Sequence, residues 1–228
     1  MYLFDLGYLL VIPALLFTFY AQSQVKGAYA RYSRVQSSRR VTGAEVARQL
    51  LDREGLHNVR VEITRGQLTD HYDPRTRVVR LSPDVYRNSS LAALGIAAHE
   101  TGHAIQHAKK YFPLAIRNTV VPAANLGSRM ALPLFFMGFL FNQGGLGFLM
   151  DLGIYLFLLA VIFQAVTLPV EFNASGRAIA LLREEGFLYN EELDGARQVL
   201  KAAALTYVAA LAVALAQLLR LLLLRGRD

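Results

Sequence analysis

Three apolar blocks, at residues 6–21, 118–168 and 204–224, constrain this chain more than any other feature. Hydrophobic residues make up 54% of it and charged residues only 18%, where soluble domains carry about a quarter. With a positive mean hydropathy besides, much of the chain is expected to meet lipid. The first block, LGYLLVIPALLFTFYA, follows Asp5 and is followed by Lys26, Arg31, Arg34, Arg39 and Arg40. A secretory signal carries its positive charges in front, so this block reads as an uncleaved first span, residues 1–21, extended by Tyr2, Leu3 and Phe4. Its N-terminus is then outside and its basic flank cytoplasmic.

The second block is interrupted by NQGG at 142–145, which predicts the tip of a membrane hairpin over residues 113–168. Residues 130–141 alone are too short for a core of about 30 Å at about 1.5 Å per residue. The first arm therefore reaches back past Arg129, whose side chain faces protein or snorkels. A turn at 151–153 would keep the same parity. Residues 204–228 form the last span and tail; Arg225 and Arg227 then lie outside, against the positive-inside rule, so an interfacial or buried helix is the alternative there.

Between these blocks lie two polar segments, 22–112 and 169–203. The first holds 15 Lys+Arg against 8 Asp+Glu, the second a further 4 Lys+Arg, and the hairpin tip none, which places both segments in the cytoplasm. The arginines are dispersed and no nucleic-acid motif surrounds them, so the charge indicates a domain beside anionic lipid and no nucleic-acid partner. TGAE at 42–45 is a capping box opening a helix that Gly55 can end. VRVEIT from 59 and RVVRL from 77 read as strands separated by turn formers, and a helix runs from about Ser90 to Lys109.

That helix carries HETGH at 99–103. Four residues advance about one helical turn, so His99 and His103 point the same way and can share one zinc ion. Glu100, beside them, is placed to take a proton from an attacking water. Two surface histidines are the alternative, but the motif's neighbours are uncharged. With no cysteine in the chain, any metal is held by His, Asp or Glu. The third ligand comes from Glu171, Glu184, Glu185, Glu191, Glu192, Asp194, His71 or His107. Glu171 is preferred because it stands in LPVEFN at 168–173, where the second hairpin arm leaves the membrane on the side of His99. The remaining acids lie in a run that reads as a solvated loop and helix start. His107 reads as a surface residue or a support for the metal ligands, His71 as part of a turn anchored by Asp or of a substrate cleft, and His57 as exposed. Asn173 and Arg177 are candidates for orienting ligands.

Four stretches together, TGAEV at 42–46, LTDHYDPR at 68–75, AAHETGHAIQH at 97–107 and TLPVEFNASGRA at 167–178, resemble the YugP-like membrane zinc peptidases of bacteria. That group is related to the gluzincin membrane proteases of the HtpX type. The resemblance covers most of the chain and implies one catalytic zinc held by His99, His103 and Glu171, with Glu100 as base, in a bacterial inner-membrane enzyme. HtpX-type relatives place an Asp four residues after the ligand Glu to support a metal-bound His; here Ser175 stands there, with Asn173 as the other substitute.

The resulting expectation is a mainly α membrane protein of about four transmembrane helices with a small α+β zincin-like cytoplasmic domain. Its activity would be hydrolysis of membrane-associated or unfolded protein substrates. The rivals are a catalytically silent zinc-binding membrane scaffold and a metal transporter. The second is disfavoured because all five histidines fall in polar segments and only Asp151 lies within the apolar hairpin block.

Overall fold

The computed structural model describes residues 7–226, so the proposed extension of the first span by Tyr2, Leu3 and Phe4 lies outside the described residues, as does Arg227. Seven α-helices and three strands follow in the order α1 (Tyr8–Tyr32), α2 (Gly43–Arg53), β1 (Arg60–Ile63), β2 (His71–Asp73), β3 (Val78–Leu81), α3 (Pro83–Arg87), α4 (Leu91–Ala108), α5 (Phe112–Leu140), α6 (Phe148–Glu184) and α7 (Asn190–Arg225). The chain is mainly helical with a small sheet. Four of these helices, α1, α5, α6 and α7, are long and apolar enough to cross a membrane. The shortest, at 25 residues, reaches about 37 Å, more than the hydrocarbon core requires.

The chain divides into two compact units, one of residues up to Gln22, Ala115–Pro169 and Leu205 onward, the other of Ser23–Leu114 and Val170–Ala204. In the first, Phe135, Met150, Ile154 and Leu221 form the buried cluster. The turn between α5 and α6 falls at the first of the two expected places, with a short 3₁₀ turn at Asn142–Gly144, and residues 151–153 lie inside α6. Arg129 is exposed on α5 rather than packed against protein. Arg225 donates from Nε and Nη2 to the two carboxylate oxygens of Asp151, at 2.8 and 3.1 Å.

In the second unit, α2 opens with the expected capping box: Thr42 Oγ1 accepts from the Glu45 amide, and the Glu45 carboxylate accepts from the Thr42 amide at 2.7 Å. Val46, Ala47, Leu50 and Leu51 on its inner face are fully buried, and truncating such a leucine to alanine costs about 2–5 kcal/mol. The sheet has the order β1-β3-β2, with β1 parallel and β2 antiparallel to β3. β2 lies in the stretch read from sequence as turn. Three residues, two of them His and Asp, leave no alternation to detect, and pairing comes from the tight return to β3. The Asp73 carboxylate braces that return, accepting from the Arg75 amide and from Thr76 Oγ1.

α4 packs on α2, α3 and the sheet. Two other expectations change. The helix containing Pro169 continues to Glu184, and the last helix begins at Asn190, not near Ala204, so both apolar helices extend into the polar segment. Nor is the connection between them solvated throughout: Phe187 and Leu188 are buried in the core cluster after Gly186 turns the chain through φ +67°. Their burial, invisible in a run of acids, anchors the end of α6.

Candidate metal centre

The local sequence of α4 explains how it presents its histidines. Ser90 caps the helix by accepting from the Ala93 amide, and the buried Thr101 hydroxyl donates back to the Ala97 carbonyl, so no polar group competes with the helix. Gly102 meets α6: a Cβ there would lie 2.8 Å from the Ala174 carbonyl oxygen. The missing side chain lets the two backbones approach, bringing the residues before Ala174 onto the histidine face.

His99 and His103 stand with ring centroids 4.7 Å apart and planes nearly perpendicular. Their Nε2 atoms lie 3.3 and 3.5 Å from one oxygen, Oε2 of Glu171. Glu171 is 4% exposed, and the three residues form a group able to hold a metal ion, their ligand atoms all within 4.8 Å of one another. The donor set fits a small divalent ion. At about 2.0–2.2 Å from a tetrahedral zinc, neighbouring donors are separated by about 3.3–3.5 Å, close to the two distances observed.

The outward ring nitrogens are also held. His99 Nδ1 is 3.1 Å from Ser175 Oγ, and His103 Nδ1 is 3.0 Å from Gln106 Oε1. Of the two substitutes named from sequence, Ser175 reaches a histidine, whereas Asn173 accepts from Gln106 Nε2 and Arg177 Nε. Gln106 escaped sequence reading; its signal is a neutral polar residue one turn beyond His103, on a helix whose buried residues are mostly apolar.

Glu100 is buried at 8% exposure on the same helix. Its charge reaches Asp70, whose carboxyl is raised above the ordinary range by burial, with Glu100 adding to the rise and hydrogen bonds from Ser82 opposing it. The Ser82 amide and hydroxyl both donate to Asp70, fixing the loop before β2.

The other candidates lie elsewhere. His107 Nδ1 is 2.9 Å from the Tyr72 hydroxyl, His71 is exposed with Nδ1 2.8 Å from the Thr69 carbonyl oxygen, and His57 is exposed beside Asp52. Glu185 pairs with Arg53, Glu192 accepts from the Ser38 amide, and Asp194 pairs with Arg197. Glu184 and Glu191 are exposed. None of these joins the metal-binding group among the described residues.

Residues 7–226 match the family described as "Putative neutral zinc metallopeptidase". The chain is 51% identical over 221 residues, 96% of its length and 97% of the relative's, to a Bacillus subtilis (strain 168) protein named "Putative membrane protease YugP". No solved structure matches. With a match over nearly its full length, the chain belongs to the family described as "Putative neutral zinc metallopeptidase".

Proposed function

We propose that the chain is a zinc-dependent membrane endopeptidase, with His99, His103 and Glu171 as metal ligands and Glu100 as general base. The observation carrying this reading is the convergence of two imidazole nitrogens from α4 and one carboxylate oxygen from α6 at tetrahedral-edge spacing. Bound there, zinc supplies a Lewis acid for the scissile carbonyl and makes a water acidic near neutral pH. The Glu100 carboxylate takes the proton released as water attacks the carbonyl carbon, then delivers it to the amine nitrogen as the C–N bond breaks. Burial of Glu100 and Glu171 keeps bulk water from competing for that proton.

The sheet beside the motif helix supports a zincin-like domain formed by residues 22–112 and 169–203. The 15 and 4 Lys+Arg of those segments support its placement on the cytoplasmic side of a bacterial inner membrane, between spans at 1–21, 113–168 and 204–228. Membrane-associated or unfolded proteins are the substrates such a position favours. The test is cleavage of an unfolded protein by the zinc-loaded chain beside Glu100→Gln, with bound zinc quantified in both. Cleavage by wild type alone, with zinc in both, is expected. Equal cleavage by Glu100→Gln would remove the base, and zinc without any cleavage would favour a silent zinc-binding scaffold.

A further inference from the structure

A cavity of about 230 Å³ lies at the start of α4, where Tyr29, Ser33, Gln67, Asp84, Asn88 and Ala93 line it. Asp84 is the one charged residue of a mostly polar lining. Its Oδ2 accepts from Gln67 Nε2 at 3.2 Å, and among the described residues no Lys, Arg or His pairs with it. Other acids of the same unit are neutralised: Glu54, Glu62, Asp73 and Glu185 each stand beside a Lys or Arg. An accessible carboxylate left unpaired at a cavity, in a chain of 24 Lys+Arg against 17 Asp+Glu, suits an incoming cation. The space decides what kind. Sites for free small molecules run to about 300–1,000 Å³, so this one fits a single side chain better. A hard divalent ion takes about six oxygen ligands, and the described residues gather no metal-binding group here.

Two elements join the cavity to the metal centre. Ala93 and Glu100 are two turns apart on α4, hence on nearly the same face and separated by about 10 Å. Beside that face runs the segment 67–72: Gln67 lines the cavity, Asp70 lies within reach of the Glu100 charge, and the Tyr72 hydroxyl meets His107. Ser82, which holds Asp70, directly precedes α3, the helix that carries Asp84. We infer that the cavity is a specificity pocket that receives a lysine or arginine side chain of the substrate, with Asp84 selecting its charge, an assignment that rests on the endopeptidase reading above. An extended chain advances about 3.3 Å per residue, so the basic residue lies about three positions from the bond that is cut. The Tyr29 ring offers apolar surface to the alkyl stem, and the Gln67 and Asn88 amides and the Ser33 hydroxyl offer acceptors to the charged head.

The experiment uses the full-length chain in detergent and a set of unstructured peptides that differ at one position, carrying Lys, norleucine or Glu there. Cleavage sites and rates with zinc-loaded protein are read by mass spectrometry, and binding of the same peptides to Glu100→Gln by fluorescence anisotropy. Wild type is expected to favour Lys over norleucine about tenfold, the lower end for a hydrogen bond to a charged group, at one position about three residues from the cut. Asp84→Asn should erase that preference, and Asp84→Lys should turn it toward Glu, a gain that a misfolded protein cannot give. Equal handling of Lys and norleucine by wild type, a preference that survives in Asp84→Asn, or one spread evenly over every position, as diffuse surface charge would produce, would overturn the inference. If wild type cleaves none of the peptides, the failure falls on the endopeptidase reading, and the binding preference with its dependence on Asp84 still decides the pocket.

Discussion

The Ser175 hydroxyl reaches His99 at 3.1 Å. A hydroxyl polarises an imidazole less than a carboxylate does. Ser175→Ala should weaken zinc binding by about tenfold, and Ser175→Asp should strengthen it; competition with a chelator of known affinity reads both, and identical affinities in all three proteins would show the contact to be idle. At this scale the sequence was informative where the geometry is local. The one-turn spacing of His99 and His103 is a property of any helix, and Glu171 could be preferred from its place at a membrane exit. The partners of the histidines could not be assigned in the same way. Whether Ser175 or Asn173 faces a ring depends on how α6 is rotated against α4, and Gln106 acquires its meaning only when Val170 and Asn173 arrive from 64 and 67 residues away.

The elements that matter most are α4 and α6, and their contact turns on Gly102. A methyl group there would press on the Ala174 backbone oxygen at 2.8 Å, and a backbone cannot swing aside as a side chain can. Gly102→Ala should therefore push α6 outward, destabilising the protein by about 1–3 kcal/mol and weakening zinc binding through Glu171. Unfolding midpoints and zinc affinity measured together test this; loss of neither would mean that the helices have slack. Strong local signals, the capping box of α2 and the ends of α4, fell where the sequence placed them. Two features did not. β2 is too short to carry a period, and the start of α7 lies in acidic residues whose neighbours Phe187, Leu188 and Leu193 are buried only by tertiary packing.

On the scale of the whole molecule, the apolar blocks predict about four membrane-crossing helices, and four helices among the described residues are long and apolar enough. In the topology expected from sequence, the last helix ends in arginines outside, against the positive-inside rule. Its end at Arg225 pairs with Asp151 in the first turn of α6, which offsets that charge. Asp151→Asn should lower stability in a bilayer by about 1.5–3 kcal/mol, the range for hydrogen bonds to charged groups. Unfolding in bicelles would measure this, and an unchanged midpoint would reduce the pair to a surface contact. The most direct measurement of the account as a whole is zinc-edge X-ray absorption of the purified chain, wild type beside Glu171→Gln. The account predicts a sulfur-free first shell of two imidazole nitrogens and oxygens at about 2.0–2.2 Å, lost or altered in the variant. The same shell in both proteins, or no bound zinc in either, would contradict it.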